Sequence, residues 1–159
     1  MRSEPCPAAR PPRGTDWYCI ALRPTALAVR QASAWIRCVA SRLRLPATDS
    51  DRIELVLTEL IQNVVDHARF PAPHACLEVS AWIDAVELHL EVVDAGGAFD
   101  PLGADPPAKA QRIESLVPGG LGLVLVREFA DQLRYRRRDG RNHVIASFIL
   151  GPDGGLGSS

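Results

Sequence analysis

The segment ELIQNVVDHA places a carboxylate, a carboxamide and an imidazole at steps of four: Glu59, Asn63 and His67. At about 100° per residue, positions four apart in a helix drift by only about 40°. The three groups would therefore point in neighbouring directions. Ile53, Leu57, Leu60, Val64 and Ala68 centre on the adjoining direction, so the polar trio stands at the edge of a buried face, where the lip of a cleft would be. Taken alone, such a series is also what a solvated helix face with local hydrogen bonds looks like.

Two further stretches carry chemistry. In VVDAGG, Val92 to Gly97, an Asp closes an apolar strand and is followed by glycines. That is the form of a buried hydrogen-bond acceptor beside a ligand that approaches the backbone, and equally of a simple turn. In PGGLGLVLVREFAD, Pro118 to Asp131, three glycines within four residues enter a helix. The unpaired amides of its first turn would suit a phosphate, or they would mark a tight helix entry without a ligand. Neither GxxxxGK[ST] nor a strand-linked GxGxxG is present, which excludes a P-loop or a Rossmann nucleotide site.

The elements that would position these residues are legible from periodicity. DWYCIALRP reads as a strand ending at Pro24, and Ala26 to Leu43 as a helix burying Leu27, Ala34, Val39 and Leu43. Thr48 and Asp51 form an imperfect capping box that opens a second helix, running to about His67 and stopped by Pro71 and Pro73. Strands over 76–83 and 86–93 form a hairpin around Asp84 and Ala85. The segment from Gly96 to Gly120, with five Gly and four Pro, is longer than most loops and has the length of a functional lid, set at 98–118, or of disorder. A helix from Leu121 to Ala130 and a last hairpin turning at Asp139-Gly140 complete a domain over 15–150. Residues 1–14 are expected to be a flexible arm and 151–159 a flexible tail. The fold class is α+β, a two-layer α/β sandwich with a mixed, mostly antiparallel sheet and its helices on one face.

Composition limits the function. The 159 residues fit one domain, 47% of them hydrophobic, and the formal charge of -1 offers no general attraction to nucleic acid or anionic membrane. The arginines of RYRRRDGR fall on both faces of one strand, which fits a solvated edge better than a nucleic-acid platform. Cys6, Cys19, Cys38 and Cys76 lie far apart in no metal-binding pattern, so reduced thiols in the cytosol are expected. The apolar runs are interrupted by charge too often to span a membrane. Trp17 and Trp35 are candidates for the core or an interface, with the core preferred.

Taken in order, the three stretches resemble the GHKL, or Bergerat, ATP-binding fold of histidine kinases, DNA gyrase and related ATPases. More closely they are similar to the small anti-sigma factor serine/threonine kinases of the RsbW and SpoIIAB type. ELIQNVVDHA corresponds to that family's N box, VVDAGGAFDP to its first glycine box, and GGLGLVLVREFADQLRYRRRDGRN to its second and the strand after it.

The resemblance implies ATP and Mg2+ as cofactors, with Asn63 on the metal, whose oxygen shell an amide oxygen suits. It implies Asp94 on the exocyclic amine of adenine, with Gly96 letting the base lie near the backbone. Gly120, Leu121, Gly122 and Leu123 would bring backbone amides to the phosphates. Glu59 would orient or deprotonate the attacking hydroxyl of a protein Ser or Thr. Arg112, ahead of Lys109 for its forked donors, would neutralise charge on the γ-phosphate. His67 would close its helix end by a hydrogen bond. The implied protein is a cytoplasmic homodimer that pairs through the sheet side away from the nucleotide. Its implied partners are an anti-anti-sigma (STAS) protein and a sigma factor, with no direct contact to nucleic acid or membrane. The alternative is an ATP-binding regulator that sequesters a protein partner without significant phosphotransfer.

Overall fold

The structure, a computed structural model, describes residues 16–69, 76–103 and 121–151. The expected arm, most of the lid and nearly all of the tail lie outside them, as do Lys109, Arg112 and Gly120.

Strand β1 (Trp17–Leu22) is followed by helices α1 (Ala26–Arg42) and α2 (Ala47–His67), the hairpin β2 (Leu77–Asp84) and β3 (Glu87–Asp94), helix α3 (Leu121–Phe129), and the hairpin β4 (Gln132–Arg138) and β5 (Arg141–Ile149). One five-stranded sheet results, in the order β1-β2-β3-β5-β4. It is antiparallel at all four pairings, so the mixed component expected from sequence has no counterpart among the described residues. The second hairpin turns through Asp139 (φ 51°) and Gly140 (φ 75°), the left-handed pair that a two-residue turn matched to strand twist requires. The first turns through Ala85 and Val86, one residue later than expected, with Ala85 at φ 54°.

Strand alternation divides the sheet into two faces. Leu88, Leu90 and Val92 of β3 join Val144, Ala146 and Phe148 of β5 in the core beneath the helices. From α2 come Ile53, Leu57, Leu60 and Val64, as the period predicts. α1 departs from expectation: Val39 and Leu43 are buried, but Leu27 is 54% exposed and Ala34 lies outside. The inner stripe is Ala28, Ala32, Ile36, Val39 and Ala40. Alanine is apolar enough for either face, so the helix turns to whichever stripe lets its axis approach α2 closely.

The Thr48 cap is also corrected. The helix begins behind Pro46 without a side-chain cap, Thr48 lies inside the first turn, and the fixed φ of proline sets the entry. Asp49 is buried there instead, accepting from Arg52 Nε at 3.0 Å and from the Gly151 amide at 3.3 Å. Arg52 also donates to Asp131 Oδ2 and to the Ile149 carbonyl, tying the start of α2 to the last hairpin.

The other sheet face carries buried charge. Glu91 Oε1 meets Arg136 at 3.0 Å and His143 Nδ1 at 2.9 Å, while Glu78 pairs with Arg141. Trp35 packs against the core as expected. Trp17 does not: it lies opposite Trp82 on this second face, its Nε1 buried without a partner among the described residues.

Candidate functional site

The site follows from three local facts. α2 turns Glu59, Asn63 and His67 along one edge, because its apolar stripe must meet the sheet and its polar stripe cannot. β3 ends with Asp94 two residues beyond Val92, on the same inner face, so this carboxylate is 5% exposed at the end of the core. α3 begins at Leu121, whose side chain is not described, and brings Gly122 and Leu123 against α2.

A cavity of about 230 Å3 has Leu60, Val64, Val92 and Val144 as apolar walls and Asp94 among its polar groups. A second, of about 180 Å3, is lined by Glu59, Gln62, Asp66, Gly122 and Leu123. Asn63 and His67 line both, so the cavities meet along this edge of α2. Glu59, Asn63, Asp94, Gly122 and Leu123 are thus brought into one region. His67 is exposed and makes no side-chain hydrogen bond among the described residues, where the helix end is closed by the Ala68 amide on the Val64 carbonyl at 2.9 Å.

One glycine in each box lies against a neighbouring side chain. A Cβ at Gly96 would lie 2.8 Å from Asp94 Oδ1 and 2.9 Å from Ala68 Cβ. A Cβ at Gly122 would overlap Glu59 Oε2, so the carboxylate rests where only a glycine backbone fits.

Asp94 is held through one oxygen. Its Oδ1 accepts from the Gly96 amide at 2.8 Å and from Asn142 Nδ2 at 3.0 Å. Oδ2 has no hydrogen bond among the described residues, and Asp94 lines the cavity. The cavity therefore offers one free carboxylate acceptor above apolar walls, which fits a flat base carrying an amine.

Asn142, Tyr135 and Arg137 are site residues that the sequence reading missed. β3 and β5 pair Asp94 with Asn142, and β4 and β5 pair Arg137 with Asn142 and Tyr135 with Val144. The only signal in the sequence was the strand after the second glycine box, GGLGLVLVREFADQLRYRRRDGRN, of which RYRRRDGR was expected to be a solvated edge. β4 is an edge strand with Arg134, Arg136, Arg137 and Arg138 exposed, as expected, while the Arg137 guanidinium also donates to Asn142 and that of Arg136 to Glu91. Arg127 of α3 donates to the carbonyls of Pro101 and Leu102, anchoring the first described residues of the lid segment.

Comparison with known proteins gives the chain its relatives by sequence and by fold. Residues 21–148 match the family model of the histidine kinase-like ATPase domain. The serine/threonine-protein kinase BtrW of Bordetella bronchiseptica is 33% identical over 129 residues, covering 81% of this chain and 91% of that protein. The serine-protein kinase RsbW of Bacillus subtilis is 28% identical over 121 residues, covering 71% and 73% respectively. Among solved structures, the RsbU and RsbW domains of a Mycobacterium tuberculosis protein superpose with a TM-score of 0.60 at 18% identity, covering 86% of this chain and 33% of that one. A blue-light activated histidine kinase of Erythrobacter litoralis gives 0.53 at 16% identity, covering 77% and 63%. The chain belongs to the histidine kinase-like ATPase family and is related within it to bacterial serine/threonine-protein kinases.

Proposed function

We propose that this chain is a protein kinase of the anti-sigma factor type, transferring the γ-phosphate of Mg-ATP to a Ser or Thr of an anti-anti-sigma (STAS) protein and so regulating a sigma factor. The observation that carries the reading is the meeting of two cavities along α2, one ending at the Asp94 carboxylate and the other at Glu59 and Gly122.

Asp94 Oδ2 accepts from the amine of adenine, and the apolar walls cover the faces of the base. The amides of the first turn of α3 receive the phosphates, because they lack carbonyl partners within the helix. Asn63 supplies an amide oxygen to Mg2+. The described residues hold no cluster of three His, Cys, Asp or Glu side chains, so water and phosphate oxygens would complete the shell, as this ion accepts readily. The bound metal would neutralise charge on the phosphates. Glu59 orients the attacking hydroxyl and takes its proton as the new O–P bond forms and the bond to the β,γ-bridging oxygen breaks. Positioning supplies most of the acceleration and Glu59 a smaller share, since an ordinary carboxylate is a weak base at neutral pH.

The test pairs calorimetry with phosphotransfer. Partners captured with this protein are incubated with it and γ-labelled ATP, and the label is sought on serine or threonine. Glu59→Ala is expected to lower transfer about 100-fold or more while ATP affinity holds. Label at the wild-type rate in that variant would remove Glu59 from the mechanism. Tight partner binding with ATP but no label on any partner would replace the kinase with a sequestering regulator.

A further inference from the structure

We infer that Tyr135 and Arg137 are positioning residues for base selectivity, acting on Asp94 through Asn142. This rests on the adenine reading of the cavity and assigns what enforces it.

The Asn142 carboxamide lies between two unlike sets of neighbours. Its Oδ1 accepts from Arg137 NH1 at 2.7 Å and from the Tyr135 hydroxyl at 2.9 Å. Its Nδ2 donates to Asp94 Oδ1 at 3.0 Å and to the Gly97 carbonyl at 2.9 Å. A guanidinium can only donate, while an ionised carboxylate and a carbonyl can only accept. Turning the carboxamide over would set its NH2 against the guanidinium and its oxygen against two acceptors at once. The orientation is therefore fixed from both ends, in a residue only 3% exposed.

The consequence reaches the ligand side of Asp94. With Oδ1 occupied by Asn142 and by the Gly96 amide, the carboxylate cannot rotate without losing both bonds, and Oδ2 remains the acceptor facing the cavity. Arg137 NH1 also donates to the Gly96 carbonyl at 3.3 Å, so one guanidinium holds both the carboxamide and the turn that carries the second donor. A base with a carbonyl where adenine has its amine meets an acceptor that cannot turn away. If Tyr135 and Arg137 are removed, the Asn142 carboxamide is held only at its NH2 end, by Asp94 and the Gly97 carbonyl, so the Asp94 carboxylate is fixed less firmly and discrimination falls.

The experiment measures binding of ATP and of inosine triphosphate, which carries a 6-carbonyl beside an N1–H where adenine has its 6-amine beside an N1 acceptor, to the full chain with Mg2+ by calorimetry. Wild type is expected to prefer ATP. In Tyr135→Phe/Arg137→Leu the ATP-to-inosine preference is expected to fall by about tenfold or more, the scale of a hydrogen bond to a charged group. Arg137→Lys, which keeps a donor, should restore part of it. Tyr135→Phe alone deletes one oxygen and should lower the ratio by about threefold, which keeps the test valid if the double variant does not fold. A ratio that stays constant while both affinities drop together would make the network structural only and overturn the inference. A wild type that binds the two nucleotides equally would overturn it too, yet leave the ATP site standing. A wild type that takes up neither would end the adenine reading itself.

Discussion

Gly96 and Gly97 are neighbours in one turn, and the structure assigns them opposite tolerances. A Cβ at Gly97 meets nothing within 4 Å. At Gly96 it would lie 2.9 Å from Ala68 Cβ and 3.5 Å from Ala68 Cα. Unstrained carbon pairs stand about 3.5–4.0 Å apart, so the first contact is short by roughly 0.6–1 Å. Both carbons are fixed to backbone, and relief requires the end of α2 to part from the turn after β3. The other contact, 2.8 Å to Asp94 Oδ1, presses on a carboxylate already held by two hydrogen bonds. Overpacking of this kind costs about 1–3 kcal/mol, a fall in melting temperature of roughly 2–12 °C for a chain of this size. Gly96→Ala should therefore unfold earlier in a thermal scan and lose ATP affinity in calorimetry, because Asp94 moves with the strain. Gly97→Ala should match wild type within about 0.5 kcal/mol in stability. Wild-type melting and affinity in Gly96→Ala, or equal damage from both substitutions, would refute the packing assigned to this turn.

Three other outcomes are expected. Gly122→Ala should keep or gain up to about 1 kcal/mol of stability, since alanine is the better helix former and Glu59 can swing aside. Its phosphotransfer should nevertheless fall by about 100-fold, the effect of displacing a reacting group by about 1 Å; thermal melting and label transfer measured on one preparation check both halves. Arg52→Met should cost about 1–3 kcal/mol in urea unfolding by leaving the buried Asp49 with the Gly151 amide alone, with ATP affinity unchanged. His89 is held below its ordinary pKa of 6.5, first by burial and further by Arg134, while Glu87 and Asp84 oppose the shift. The folded chain then binds this proton less readily than the unfolded chain, so stability falls as pH drops below 6.5. His89→Gln should lose that part of the slope, which unfolding curves between neutral and mildly acidic pH would reveal.

What was legible in the sequence was local. The period of Ile53, Leu57, Leu60 and Val64 determines α2 and, with it, the edge carrying Glu59, Asn63 and His67, because a helix converts spacing into direction without help from the rest of the chain. Asp94 at the close of an apolar strand and the glycines around it were equally visible, since turn chemistry depends on neighbours in sequence. Even the turn at Asp139-Gly140 is announced by its residue types. Where several stripes were apolar enough, as in the alanine-rich α1, periodicity left the buried face open and packing against α2 chose it.

The base-reading network belongs to tertiary structure alone. Asn142 stands 48 residues from Asp94, and no pattern within either strand tells which residues will face each other. The register of β3 on β5 and of β5 on β4 places Asp94, Asn142 and Arg137 side by side. A slip by one residue would send every one of these side chains to the opposite face. The sequence by itself determined which groups are able to do chemistry and on which elements they stand; strand pairing, a long-range choice driven by burying Leu90, Val92, Val144 and Ala146 together, decided which of them touch.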